Sequence, residues 1–200
     1  MKKLIVTFAV AVIAAGSAMA QISVGAGYLN STVTRTVSDN NLDSSSDGFY
    51  VGADFSCPIV AGLSVDPGVY YGFLTREGEF LGMMTGTTQS HYLNIPVNLK
   101  YNFHALDFLD VFAFAGPRFN IGLSNTTTTQ VLGIESRFDH YGEDGDLQRF
   151  DFALGVGIGF DLFQMVRVKF GYDWGLLDID KNDSMKTSCS GWNIGAAFLF

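Results

Sequence analysis

The thirteen residues FDFALGVGIGFDL, positions 150–162, separate into two chemistries when read alternately. Phe150, Phe152, Leu154, Val156, Ile158, Phe160 and Leu162 take the even positions, while Asp151, Ala153, Gly155, Gly157, Gly159 and Asp161 take the odd ones. Alternate residues of a β-strand point to opposite faces of its sheet. The segment therefore reads as a strand with one bulky apolar face and one small or charged face. Residues 166–176 repeat the scheme, with Val166, Val168, Phe170, Tyr172, Trp174 and Leu176 set against Arg167, Lys169, Gly171, Asp173 and Gly175.

The same parity holds at 22–28, 49–57, 63–73, 93–103, 109–123 and 192–200, which gives eight predicted strands in all. Their apolar rows hold 47 positions with no charge and no glycine, whereas the opposite rows hold 39 positions, 10 of them charged and 13 of them glycine. A water-soluble barrel would have to pack the large row inside, where eight strands leave little room beyond their own side chains. With the large row turned to lipid, the glycines and charges fit a narrow interior. A charge on the lipid face near the bilayer midplane costs about 2–4 kcal/mol, which accounts for its absence from the apolar rows. Backbone groups at an open sheet edge would go unpaired in hydrocarbon, so the sheet must close on itself. The expected fold is all-β: an eight-stranded antiparallel up-and-down transmembrane β-barrel.

Short turns are predicted at Pro58–Gly62, His104–Phe108 and Phe163–Met165, and long loops over 29–48, 74–92, 124–149 and 177–191. This alternation fits bacterial outer-membrane barrels, with short turns and both termini periplasmic and long loops outside. Trp174 and Trp192 fall near the outer ends of adjacent strands, where an aromatic girdle is expected.

The first twenty residues differ from the rest. Lys2 and Lys3 precede an apolar run from Leu4 to Gly16, and Ala18-Met19-Ala20 supplies the small-x-small pattern of a cleavage site. The run is too short to span a bilayer as a helix, which takes about 20 residues. Residues 1–20 are read as a cleaved export signal and residues 21–200 as one barrel domain. Cleavage removes two lysines and moves the formal charge from −8 to −10, with 10 basic against 20 acidic residues. Such an acidic chain is a poor nucleic-acid partner. Cys57 is expected at the periplasmic end and Cys189 in a surface loop, too far apart for a disulfide.

The inward rows place Asp54, Asp66, Lys100, Arg118, Asp151, Arg167, Lys169 and Asp173 in the interior. Four acids balance four bases, which favours a buried ion-pair network over the single-sign rings of a selective pore. Asp110 and Asp161 lie beside predicted turns and are expected to reach water. Glu143, Asp144 and Asp146 form an acidic loop without the ligand spacing of a calcium site. A nucleophile needs a base and an orienting third group, and His91, His104 and His140 have no such company in the sequence. No G-x-S-x-G motif and no metal-spaced Cys/His set occurs. No catalytic, cofactor-binding or metal-binding residue is therefore assigned.

The last strand, Trp192-Asn-Ile-Gly-Ala-Ala-Phe-Leu-Phe200, resembles the C-terminal signal that delivers outer-membrane proteins to the barrel-assembly machinery, with Trp192, Ile194, Phe198 and Phe200 as its apolar row. Leu63–Gly78 (LSVDPGVYYGFLTREG), Tyr92–Phe103 (YLNIPVNLKYNF), Asp151–Phe160 (DFALGVGIGF) and Gly116-Pro117-Arg118-Phe119 resemble the PorT-like outer-membrane β-barrel family, related in architecture to OmpA and OmpX. Pro67, Pro96 and Pro117 fall inside predicted strands, where each removes a ladder donor. Read alone they would demote those strands, and the family resemblance implies that they are tolerated. It also implies a secretion-associated or assembly role, by analogy of fold.

Together these readings predict a monomeric barrel of a Gram-negative outer membrane with a structural or surface-interaction role and no enzymatic activity. Its expected surroundings are outer-membrane lipid and lipopolysaccharide. A narrow channel, a lipid-modifying enzyme and a secreted soluble barrel are the alternatives.

Overall fold

The computed structural model describes residues 21–37, 40–80, 84–131, 134–142, 145, 147–180 and 186–200. The expected export signal, with Ala18 and Ala20, lies outside the described residues, as do Glu143, Asp144 and Asp146. Nine strands are present among the described residues: β1 (Gln21–Val37), β2 (Asn40–Val60), β3 (Leu63–Phe80), β4 (Met84–Leu106), β5 (Leu109–Val131), β6 (Ile134–Asp139), β7 (Phe150–Leu162), β8 (Val166–Gly175) and β9 (Lys186–Leu199). Each pairs antiparallel with its neighbours, and β9 returns to β1. β6 pairs only with the upper part of β5, over Thr126–Val131. Removing it leaves β1–β2–β3–β4–β5–β7–β8–β9 as a closed ring of eight strands. Closure gives each of the eight strands a partner on both sides, as a hydrocarbon surround demands.

The parity of the sequence is the parity of the ring. Ile158 is 62 % exposed on the outer face, and Phe49, Val69, Leu99, Phe170 and Ile194 stand out beside it. On the inner rows Asp54, Asp66, Lys100, Arg118 and Arg167 are buried. Phe112 and Phe114 are also inward and buried, an exception to the small-residue interior. A side chain at Gly159 would overlap the Phe112 ring and the Val168 carbonyl, so this glycine makes the space that the phenylalanine fills.

Three tight connections close one end, at Ala61–Gly62, Asp107–Phe108 and Phe163–Met165. Gly62 has φ +80°, and Phe163 and Gln164 have φ +52° and +55°. Left-handed backbone suits glycine but strains the other two residues.

At the other end the expected long loops are mostly strand. The β1–β2 ladder runs without a break in register from Gln21↔Ser56 to Val37↔Asn40. The β3–β4 ladder reaches Phe80↔Met84, and the β4–β5 ladder reaches Met84↔Val131. Ser, Thr and Asn carry a weak strand signal in a polar stretch, yet cross-strand hydroxyl pairs such as Thr88–Thr127 (2.9 Å) and Thr32–Ser45 (3.1 Å) hold these hairpins in register. Cys189 is likewise in β9 opposite Val33, and not in a loop. Cys57 and Cys189 are both free.

The three prolines cluster at one level of adjacent strands. Pro67 pairs with Val97, and Pro117 pairs with Leu154 on its far side. The β2–β3, β3–β4 and β4–β5 ladders each skip two pairings at this level and then resume in the same register. The missing N–H groups thus cost a local gap and leave the alternation intact.

Candidate functional site: a charged lumen beneath a hairpin rim

Beginning from the end with tight turns, the lumen is filled by charge. Arg167 donates through Nε and Nη2 to the two oxygens of Asp161 at 2.7 and 2.8 Å. Its Nη1 lies 3.4 Å from Asp54 and 3.8 Å from Asp66. Lys100 Nζ meets Asp66 at 2.9 Å and Ser56 Oγ at 3.1 Å. Lys169 Nζ meets Asp54 at 2.6 Å and Tyr70 Oη at 3.0 Å. Ser23 and Tyr70 donate to Asp54, while Ser56 and Ser64 each donate to Asp66 at 2.7 Å. The Lys100 ammonium (5.5 Å) and the Arg167 guanidinium (5.1 Å) both lie over the Phe112 ring. Three carboxylates thus meet three cations in a neutral cluster drawn from β2, β3, β4, β7 and β8.

Such a cluster gains little over an apolar core, because desolvation offsets most of the Coulomb attraction. Its consequence is spatial: ions held by this many bonds cannot swing aside without leaving a buried charge unpaired.

Asp161 was expected to reach water, but it is buried and is the bidentate partner of Arg167. The three-residue turn after Leu162 sets Asp161 opposite Arg167 across the β7–β8 hairpin. That register was already available from the turn length. Asp110 does sit at the edge, 2.6 Å from the exposed His104. Asp151 was grouped with the ion pairs, yet no basic residue among those described lies within ion-pair distance of it. It accepts instead from Asn120 Nδ2 at 3.1 Å, and Asn120 accepts from Asn94 at 2.5 Å. Arg118 and Asp173 form a separate pair at 2.5 Å, with the guanidinium lying where any side chain at Gly155 would stand.

Above the cluster a cavity of about 490 Å³ occupies the hairpin half of the lumen. Lys169, Tyr70 and Phe114 lie at its floor; Arg167, Lys100 and Asp161 do not border it. Its walls are the inner faces of the strand extensions. Leu147 and Ile179 are buried at its mouth, their segments joined by Gln148 N donating to Ile179 O at 2.8 Å, while Ile179 N donates to Thr187 O of β9 at 3.0 Å. Arg149 stacks on Tyr141 and donates to the Gly122 and Leu123 carbonyls, stapling the cap to β5.

On the outer face Trp192 packs against Tyr28 at 5.2 Å, and Trp174 against Tyr172 at 4.8 Å. Phe49–Phe73 (5.3 Å) and Tyr71–His91 (6.0 Å) extend this aromatic band around the ring. Ile194 and Phe198 face outward, and Phe198 packs edge-on against Phe200 at 5.0 Å. The histidines are dispersed: His91 bonds Tyr71, His104 bonds Asp110, and His140 bonds Thr127. Among the described residues, no group of three His, Cys, Asp or Glu could hold a metal ion.

The family model "Outer membrane protein beta-barrel domain" matches residues 14–181, and the chain belongs to that family. No curated protein sequence matches the chain. The attachment invasion locus protein Ail of Yersinia pestis is a similar solved structure, with 15 % identity, 90 % of this chain and 98 % of that one covered, and a TM-score of 0.53. OprG of Pseudomonas aeruginosa shares 14 % identity over 90 % of this chain and 95 % of its own, with a TM-score of 0.49. The outer membrane enzyme PagL shares 12 % over 84 % and 97 %, with a TM-score of 0.47. The chain is an outer-membrane β-barrel.

Proposed function

We propose that this protein is a sealed, non-catalytic barrel that holds a rigid hairpin rim outside the cell as an interaction platform. The observation that carries this reading is the continuation of the strand ladders to Val37↔Asn40 and Phe80↔Met84. A connection serving only to join strands needs a few residues, whereas these hairpins extend the ladder and present hydroxyl and amide side chains on a fixed backbone. In this reading the tight turns and both termini face the periplasm, and the rim contacts lipopolysaccharide as well as its partners. The barrel acts as a monomer, and its C-terminal strand is read by the assembly machinery. The four segments that resemble PorT-like barrels support a finer placement near that group and leave the role one of interaction.

The buried cluster argues against a conducting path, because ions crossing it would have to displace Arg167 from Asp161. The two alternatives are tested together. Purified, unboiled protein whose gel mobility changes on boiling, the mark of a folded barrel, gives no steady conductance in a planar bilayer, and lipid A mass spectra of a deletion strain match those of the parent. A stable open level refutes the sealed lumen, and a lipid A mass change restored by complementation refutes the absence of catalysis.

A further inference from the structure

Beyond a display role, the capped cavity has the features of a binding site. Among the described residues, five cationic side chains border it (Arg35, Arg76, Arg118, Arg149 and Lys169) against two acidic ones, Asp151 and Asp173. Arg118 is paired with Asp173, and Lys169 with Asp54 beneath the floor. Arg35, Arg76 and Arg149 remain against Asp151, an excess of two positive charges in a chain whose formal charge is −8. No carboxylate of the described residues lies within ion-pair distance of Arg35 or Arg76. Both belong to the inner rows of the rim, on β1 and β3.

Between them the wall is polar but neutral. Ser44, Ser46, Thr88, Ser90 and Thr127 supply hydroxyls, and the ring of Tyr92 supplies a flat apolar face. Deeper in the cavity wall, Asn98 is nine-tenths buried, and the described residues provide no donor for its Oδ1; Asn125 Oδ1 and Asp151 Oδ1 share that lack. Buried acceptors without donors are rare, and these three are available to a hydroxyl donor in the cavity.

We propose that the cavity binds a small anionic sugar, a sugar acid or sugar phosphate, from solution. Guanidinium groups suit a carboxylate or phosphate, which they can bond in a two-point fork. Hydroxyls of the ring meet the serine and threonine wall and donate to the orphaned oxygens, and a C–H face lies on Tyr92. A volume of about 490 Å³ accommodates one such molecule. An enclosed lumen suits a free solute better than a headgroup tethered to the lipid outside the ring. With the buried cluster below, the site is a dead end in which a ligand is held and not passed on.

Calorimetric titration of the folded protein in detergent micelles tests this, with D-glucuronate, glucose 6-phosphate, glucose and inorganic phosphate as separate probes. Saturable heat is expected for the two anionic sugars, with glucose and phosphate each weaker by about tenfold or more. The double variant Arg35→Gln/Arg76→Gln, both positions lying in the polar rim, is expected to weaken glucuronate by a similar factor while keeping the change of gel mobility on boiling that marks a folded barrel. Equal binding of glucose, equal binding of bare phosphate, or no saturable heat from either sugar anion at millimolar concentration overturns the proposal. These three comparisons use the unmodified protein and decide the matter even where the variant does not fold. A folded double variant of unchanged affinity overturns it as well.

Discussion

Replacing Arg167 by methionine shows which of its carboxylates depends on it. The Arg167 side chain is 2 % exposed and meets three carboxylates, but these do not depend on it equally. Asp54 keeps Lys169, Ser23 and Tyr70, and Asp66 keeps Lys100, Ser56 and Ser64. Asp161 receives both of its close ionic bonds from Arg167 and is left as an unpaired buried carboxylate. Removing one partner of a buried ion pair costs about 3–5 kcal/mol, whereas replacing both by apolar groups is often neutral. Arg167→Met is therefore expected to destabilise by about 3–5 kcal/mol, and Arg167→Met with Asp161→Leu to return to within about 2 kcal/mol of the parent. Equilibrium urea unfolding from lipid vesicles, followed by the emission of Trp174 and Trp192, reads both values. A single variant that loses less than about 1 kcal/mol, or a double variant worse than the single, refutes the assignment of Asp161 as the dependent partner.

Three further outcomes are expected. Ile158→Arg, halfway along the lipid-facing row of β7, costs about 2–4 kcal/mol in the same unfolding assay, and a cost near zero means that the row does not face lipid. Gly159→Leu drives a side chain into Phe112 and the Val168 carbonyl and lowers stability by at least about 1–3 kcal/mol; an unperturbed melting transition contradicts the interior packing. Reduced and non-reduced samples comigrate on gels, and denatured protein titrates two thiols with maleimide, because Cys57 and Cys189 are free; loss of both thiols under non-reducing conditions contradicts this.

The ring was legible because one physical rule governs it. Lipid excludes charge from one row of every strand, so Phe150 to Leu162 and Val166 to Leu176 declare their faces without any knowledge of neighbours. The interior was legible only as a list of members. Parity placed Asp54, Lys100 and Arg167 inside but could not say that Asp151 would join an amide chain, because that depends on where strands far apart in sequence meet across the lumen. Asp161 was misjudged by giving its closeness to a turn more weight than its register opposite Arg167. The hairpin rim was read as loop because Thr126 to Thr129 and Ser44 to Ser46 have no apolar row. Outside hydrocarbon neither face is forced to be apolar, and the strand signal then resides in backbone pairing alone. The cavity cap, made by Leu147 and Ile179 from separate connections, left no local mark.

Amide hydrogen exchange of the barrel in lipid nanodiscs tests the display role most directly. Residues 29–37, 42–48, 74–78 and 86–92 are expected to exchange far more slowly than free peptide, as paired strands do. Exchange in those segments at the rate of an unstructured loop would mean that the rim is not rigid, and the proposed interaction platform would have no fixed surface to present.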